Sequence, residues 1–248
     1  MTGKVEQEPG YVLHRRAWRE TSLIVDLFTL NHGRMSVVAR GANRPKSSWK
    51  AQLQPFQPLL LDWQGRSEMK TLTAVEGRPG PVFERTERLY CGFYLNELIQ
   101  RLLPPHDPAE TLFAQYIESL DALARASDDE PVLRRFEQAL VAALGWGFEW
   151  DRVTDTDSVV DPDGNYYYDP EQGILAQPGE GSLLQGLRGD VLKQLADGQF
   201  ETPEARRLAK RVMRVLIDHL LQGRPLHSRN LFTSWRGGAN DAQGTTGD

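Results

Sequence analysis

Five cations and one indole, Arg34, Arg40, Arg44, Lys46, Trp49 and Lys50, fall in a stretch that contains no acid from Leu27 through Leu61. Lysine and arginine neutralise phosphates and release their condensed counterions, and an aromatic face can take a stacked base. Gly41, Asn43 and Pro45 lie among them and place this chemistry in a turn-rich loop. The same composition suits a solubilising loop whose tryptophan packs on the fold beneath it, and the loop alone leaves both readings open. A second set of cations, Arg206, Arg207, Lys210, Arg211 and Arg214, recurs at three- and four-residue spacing. Leu208, Val212, Val215 and Leu216 occupy the other side of that periodic segment. Only Glu201 and Glu204 lie near its start, so these cations are expected to lack acids at i+4. They form either a second contact for DNA or a partner, or an ordinary solvated face.

Catalytic signals are sparse. No Gly-Lys-Ser/Thr phosphate loop occurs. His14, His32, His106, His219 and His227 never pair at metal-ligand spacing. The acidic run Asp155, Asp157, Asp161, Asp163 fails as a calcium loop. With Gly164 in the sixth place, its end positions would be Val159 and Pro170. Cys91 lies on an apolar helical stripe and reads as core. Neither a catalytic centre nor a metal or cofactor is expected.

These residues need elements to hold them. The net charge of −5 hides an asymmetry: 12 Lys/Arg face 7 Asp/Glu in residues 1–80, against 17 and 27 in the rest. A basic front on an acidic chain points to an anionic partner at the front. The single cysteine excludes an intramolecular disulfide, and no apolar run is long enough to span a bilayer. Residues 1–10 read as a loose start. Strands are predicted at 11–16, 21–29, 34–40, 56–63 and 68–75, a spacing that suggests a small closed sheet of OB type. The composition breaks at Arg78-Pro79-Gly80-Pro81, where the domain boundary is placed. The period then turns helical over 86–103, 108–126 and 131–144. Leu112, Phe113, Tyr116, Ile117, Leu120 and Leu123 form the expected buried stripe of the second of these helices. Residues 150–181 read as an irregular arm with short strands at 165–168 and 173–176, 187–195 and 203–221 as helices, and 237–248 as a disordered tail. The fold class is therefore α+β: an OB-fold domain at 1–80, then a mainly helical domain at 81–236.

Seven stretches in order carry a family resemblance: Tyr11–His14, Arg19–Leu23, Val38–Ala42, Leu53–Phe56, Tyr94–Leu98, Leu133–Glu137 and Pro225–Arg229. Together they resemble the bacterial RecO family of DNA recombination and repair proteins. The resemblance implies a non-enzymatic, cytoplasmic and nucleoid-associated protein that binds single- and double-stranded DNA and anneals complementary strands. It implies RecR and the acidic C-terminal tail of the single-stranded DNA-binding protein SSB as partners, RecA as an indirect one, and no nucleotide cofactor. The family's tail-binding arginine maps by resemblance onto Arg134, with Arg135 as the neighbouring alternative. Phe136 and Leu140 are expected to form an apolar row beside it. Some members carry a four-cysteine zinc site in the arm. Residues 150–181 contain no cysteine, so that site is absent here. The competing reading is an adaptor whose basic surfaces bind acidic protein tails rather than DNA.

Overall fold

The computed structural model describes residues 3–125, 127–200 and 202–231, so the expected tail at 237–248 lies outside the described residues. The chain divides into two compact units. One holds the described residues up to Ser127 together with those from Leu226 on, and the other is Asp128–Pro225. The composition break at Arg78–Pro81 lies inside the first unit.

The first unit is built on five strands: β1 (Lys4–Trp18), β2 (Ser22–Thr29), β3 (Gly33–Ala39), β4 (Leu59–Gln64) and β5 (Lys70–Gly77), with a short helix α1 (Ser48–Gln52) between β3 and β4. They follow the order β1-β2-β3-β5-β4, and β4 returns to β1 to close the ring. Only β3 and β5 pair in parallel, at Val37↔Lys70 and Val38↔Thr71. This is an OB-like closed sheet, as the strand spacing implies.

Residues 4–10 are not the loose start expected. β1 serves two partners in turn, pairing with β4 from Lys4↔Gln64 to Gly10↔Leu59 and with β2 from Gly10↔Thr29 to Trp18↔Ser22. The polar run conceals the first half because Lys4, Glu6 and Gln7 face solvent while Glu8, equally polar, is buried. Gly10 marks the handover. A Cβ there would meet Leu61 Cδ1 at 2.9 Å and Thr29 Cγ2 at 3.1 Å, so only glycine lets both neighbours approach.

Period-two alternation sends Val25, Leu27, Met35, Val37, Leu61, Trp63 and Leu72 into the interior of the ring. The outer face of β2 is buried too, because helices α2 (Thr86–Leu102) and α3 (Glu110–Arg125) belong to the same unit. Phe28 meets Phe113 at 5.2 Å and Tyr11 meets Tyr116 at 5.1 Å, both edge to face. Ile117, at the margin of the α3 stripe, is exposed rather than buried.

Polar joints fix this packing. Asn96 donates to the carbonyls of Val12 and Leu13 at 3.2 and 3.1 Å and accepts from the Tyr116 hydroxyl at 2.6 Å. The Glu97 carboxylate accepts the backbone N–H groups of His227 and Ser228 at 2.9 and 2.8 Å, at the start of the last described helical turn. Burial alone would raise the Glu97 pKa, but hydrogen bonds from Ser228 and His227, with Arg101 nearby, outweigh it and the pKa is lowered.

The second unit contains α4 (Glu130–Ala143), strands β6 (Arg152–Val153), β7 (Ser158–Val159), β8 (Asn165–Asp169), β9 (Gly173–Leu175) and β10 (Leu184–Arg188), and helices α5 (Gly189–Ala196) and α6 (Pro203–Leu221). The expected short strands at 165–168 and 173–176 are present as β8 and β9, but the arm is more regular than expected: β6 and β7 join them, and with β10 they make a five-stranded sheet in the order β10-β8-β9-β6-β7. Strands of two to five residues are too short to display an alternation. The acids that read as loop are local acceptors: Asp155 takes the N–H groups of Ala176 and Gln177, and Asp169 takes that of Glu171. Tyr166 and Tyr168 turn into a core shared with Ile174, Leu187, Val191, Leu208, Val212 and Leu216. The segment read as helical from 187 begins as the end of β10, and α5 starts at Gly189.

Candidate nucleic-acid interface

The loop between β3 and β4 is pinned from below. Ala42 and Leu53 are fully buried in the ring core. Asn43 N–H donates to Thr21 O at 2.9 Å, linking the loop to the β1–β2 turn. Arg15 Nη1 donates to the carbonyls of Lys50 and Leu53, at 2.8 and 3.1 Å, and so holds the C-terminal end of α1. Gly41 turns the chain out of β3 at φ +73°, a conformation that costs a side-chain-bearing residue. With the backbone held, the side chains of Arg40, Arg44, Lys46 and Lys50 all face solvent. Among the described residues none of these four has a carboxylate within ion-pair distance. A fixed array of hydrated cations without internal counterions retains its full attraction for a polyanion.

Two members of the expected set behave differently. Trp49 is half-buried and packs against the ring core with Val5 and Val75, so its indole supports the loop. Arg34 braces the fold: its Nε donates to Leu103 O at 2.8 Å, and its own carbonyl accepts His106 N–H at 2.8 Å. Burial pulls the Arg34 pKa down, with Asp26 acting in the opposite direction.

The cations of α6 are compensated, contrary to expectation. Arg206 meets Asp128 at 2.6 Å, Arg207 meets Glu204 at 2.8 Å, Lys210 meets Glu130 at 2.5 Å and Arg214 meets Asp218 at 3.8 Å. Two of those acids, Asp128 just before α4 and Glu130 at its first position, are out of reach of any i+4 rule, and Asp218 is itself at i+4 from Arg214. Arg211 is the one cation of the five with no carboxylate partner among the described residues.

On α4, Arg134 is buried and forms an ion pair with Glu137 at 2.6 Å, one helical turn away. Phe136 and Leu140 are fully buried, so the expected apolar row is core and lines no open slot. Arg135 is exposed, and its guanidinium lies 5.7 Å from the centroid of the Phe200 ring. Arg206 Nε donates to Phe200 O at 2.6 Å, so a second guanidinium stands beside the same residue.

Sequence reasoning passed over the end of β1. Arg15, Arg16, Trp18 and Arg19 crowd five positions there, and Trp18 is 44% exposed. Arginines clustered around a tryptophan just before a turn were the available signal. Among the described residues no group of histidine, cysteine or acidic side chains could hold a metal ion, and no helix is long and apolar enough to cross a membrane.

An OB-like closed sheet with an uncompensated basic loop, followed by helices, defines an α+β protein of the kind that binds nucleic acid. Sequence models for the N-terminal and C-terminal parts of recombination protein O match residues 1–78 and 84–230. The chain is 59% identical over 236 residues to the DNA repair protein RecO of Marinobacter nauticus, covering 94% of this chain and 96% of that one. It is 43% identical over 231 residues to the DNA repair protein RecO of Methylococcus capsulatus, covering 93% and 94%. The chain belongs to the RecO family of DNA repair proteins.

Proposed function

We propose that this protein is a non-enzymatic mediator of recombinational repair. It binds single- and double-stranded DNA through Arg40, Arg44, Lys46 and Lys50, and anneals complementary single strands. With RecR it helps load RecA onto SSB-coated strands. The observation that carries the reading is the rigidly held loop whose four cations have no internal carboxylate. Annealing needs two polyanions brought close without their bases being locked, and exposed cations on a fixed backbone lower that repulsion.

The same reading moves the SSB-tail contact from Arg134 to Arg135. Arg134 is committed to Glu137, and separating a buried pair leaves an uncompensated charge. Arg135 offers an open guanidinium fork beside an aromatic ring, the chemistry that a terminal carboxylate preceded by acids requires. A fluorescent tail peptide titrated against Arg135→Ala should bind about tenfold or more weakly, since a charge-assisted anchor contributes about 1.5–3 kcal/mol. Annealing of bare oligonucleotides by that variant should be unchanged, whereas annealing of SSB-coated ones should fall. Unaltered peptide binding would refute the tail assignment, and a parent protein that fails to anneal bare strands would refute the DNA reading.

A further inference from the structure

We propose that the β1–β2 turn is a nucleobase-stacking platform, with Trp18 as its surface, that holds unpaired bases beside the basic loop. The inference rests on the DNA-binding reading above and assigns a second kind of contact to it. Trp18 is the only exposed tryptophan among the described residues, and leaving an indole 44% exposed forfeits burial that the rest of the fold uses. Its immediate neighbour is unusual as well. Arg19 occupies the left-handed region at φ 53°, which costs a residue bearing a side chain about 1 kcal/mol. That backbone places the Arg19 guanidinium 5.8 Å from the Trp18 ring centroid.

The sheet register shows what surrounds the indole. Trp18 pairs with Ser22, and Leu23 pairs with Ala39, so Arg40 stands one step beyond, across Ser22 from Trp18. Arg16, two residues before Trp18, shares its face of the strand. The turn is tied to the loop by Asn43 N–H donating to Thr21 O at 2.9 Å. Arg16, Arg19 and Arg40 therefore surround a flat aromatic face, and among the described residues none of them has a carboxylate partner. Cations spaced around a stacking surface suit a single strand, whose phosphates track the charges while a base lies on the ring. A duplex keeps its bases stacked on each other and gains nothing from the indole.

The test compares three probes at one salt concentration: an oligothymidylate, an abasic oligonucleotide of equal length, and a duplex. Trp18→Ala should weaken oligothymidylate binding about five- to a hundredfold, with the abasic strand and the duplex changed by less than about twofold. Trp18→Phe should recover most of the loss. Equal losses on oligothymidylate and abasic strand, or no loss on oligothymidylate, overturn the proposal. So does an acidic peptide that binds the parent and is lost from Trp18→Ala while oligothymidylate binding is kept. The variant Arg40→Glu/Arg44→Glu/Lys46→Glu separates the two levels. If it loses all three probes while Trp18→Ala loses none, only the platform is wrong; if both variants bind like the parent, the DNA reading falls with it.

Discussion

Two basic regions of this chain look alike in one dimension and differ in three. The β3–β4 loop and α6 each carry a handful of lysines and arginines, and neither is preceded or followed by many acids. In the fold, α6 meets Asp128, Glu130, Glu204 and Asp218, while Arg40, Arg44, Lys46 and Lys50 meet no carboxylate among the described residues. A cation's availability to an outside polyanion depends on what the fold brings to it. Charge density along the sequence is a poor guide to that. Four of the five α6 cations are paired within the second unit, and the four loop cations carry no such pair among the described residues.

The largest effect is expected from the loop. Each phosphate contact contributes about 0.9 of log affinity per decade of salt on duplex DNA, close to 1 kcal/mol near physiological ionic strength. Arg40→Glu/Arg44→Glu/Lys46→Glu should therefore weaken DNA binding by about 3 kcal/mol, on the order of a hundredfold, with little change in melting temperature. Fluorescence anisotropy and a thermal melt measure the two quantities.

The comparison is sharpened from the acid side by Glu97, a carboxylate that the fold fully uses. Glu97→Gln should cost about 2 kcal/mol of stability, because charge-assisted hydrogen bonds to His227 and Ser228 are lost, and should leave DNA affinity alone. The folded-state pKa of Glu97 is lowered, so its contribution is present above the ordinary value of 4.5 and is lost as pH falls through the depressed folded value. The stability gap between parent and variant should accordingly close in acid, and a gap that stayed constant to low pH would remove Glu97 from this role. A smaller effect is expected at Trp49, the loop residue that belongs to the core. Trp49→Ala should cost about 1–2 kcal/mol in a denaturant titration, with DNA affinity within about twofold of the parent once folded. The smallest effects should come from α6. Arg207→Gln and Lys210→Gln remove exposed ion pairs, each contributing less than about 1 kcal/mol, and should change neither melting temperature nor DNA affinity appreciably.

Much of the first unit was legible because its patterns are local. Leu23, Val25 and Leu27 alternate with Ile24, Asp26 and Phe28, and turn residues separate the runs. The first half of β1 was not legible, since a strand that pairs with two partners in succession presents two patterns around Gly10. In the second unit the strands are too short to repeat, and Asp155 and Asp169 resemble loop residues because they bind local backbone. The candidate sites divide in the same way. The loop cations needed only the absence of nearby acids. The partners of Arg206 and Lys210 lie far upstream and meet them only in the fold. The pairing of Arg134 with Glu137 was available at i+3, but the burial that commits the pair was not.

The central claim is that the unpaired loop cations bind phosphate and the ion-paired cations of α6 do not. It is tested most directly by the slope of log affinity against log salt on one duplex, for the parent and two neutral variants. One changes Arg40, Arg44 and Lys46 to Gln, and the other changes Arg207, Lys210 and Arg214 to Gln. The expected result is a slope shallower by about two to three units for the first variant and unchanged for the second. Equal flattening in both variants, or flattening in the α6 variant alone, would contradict the account.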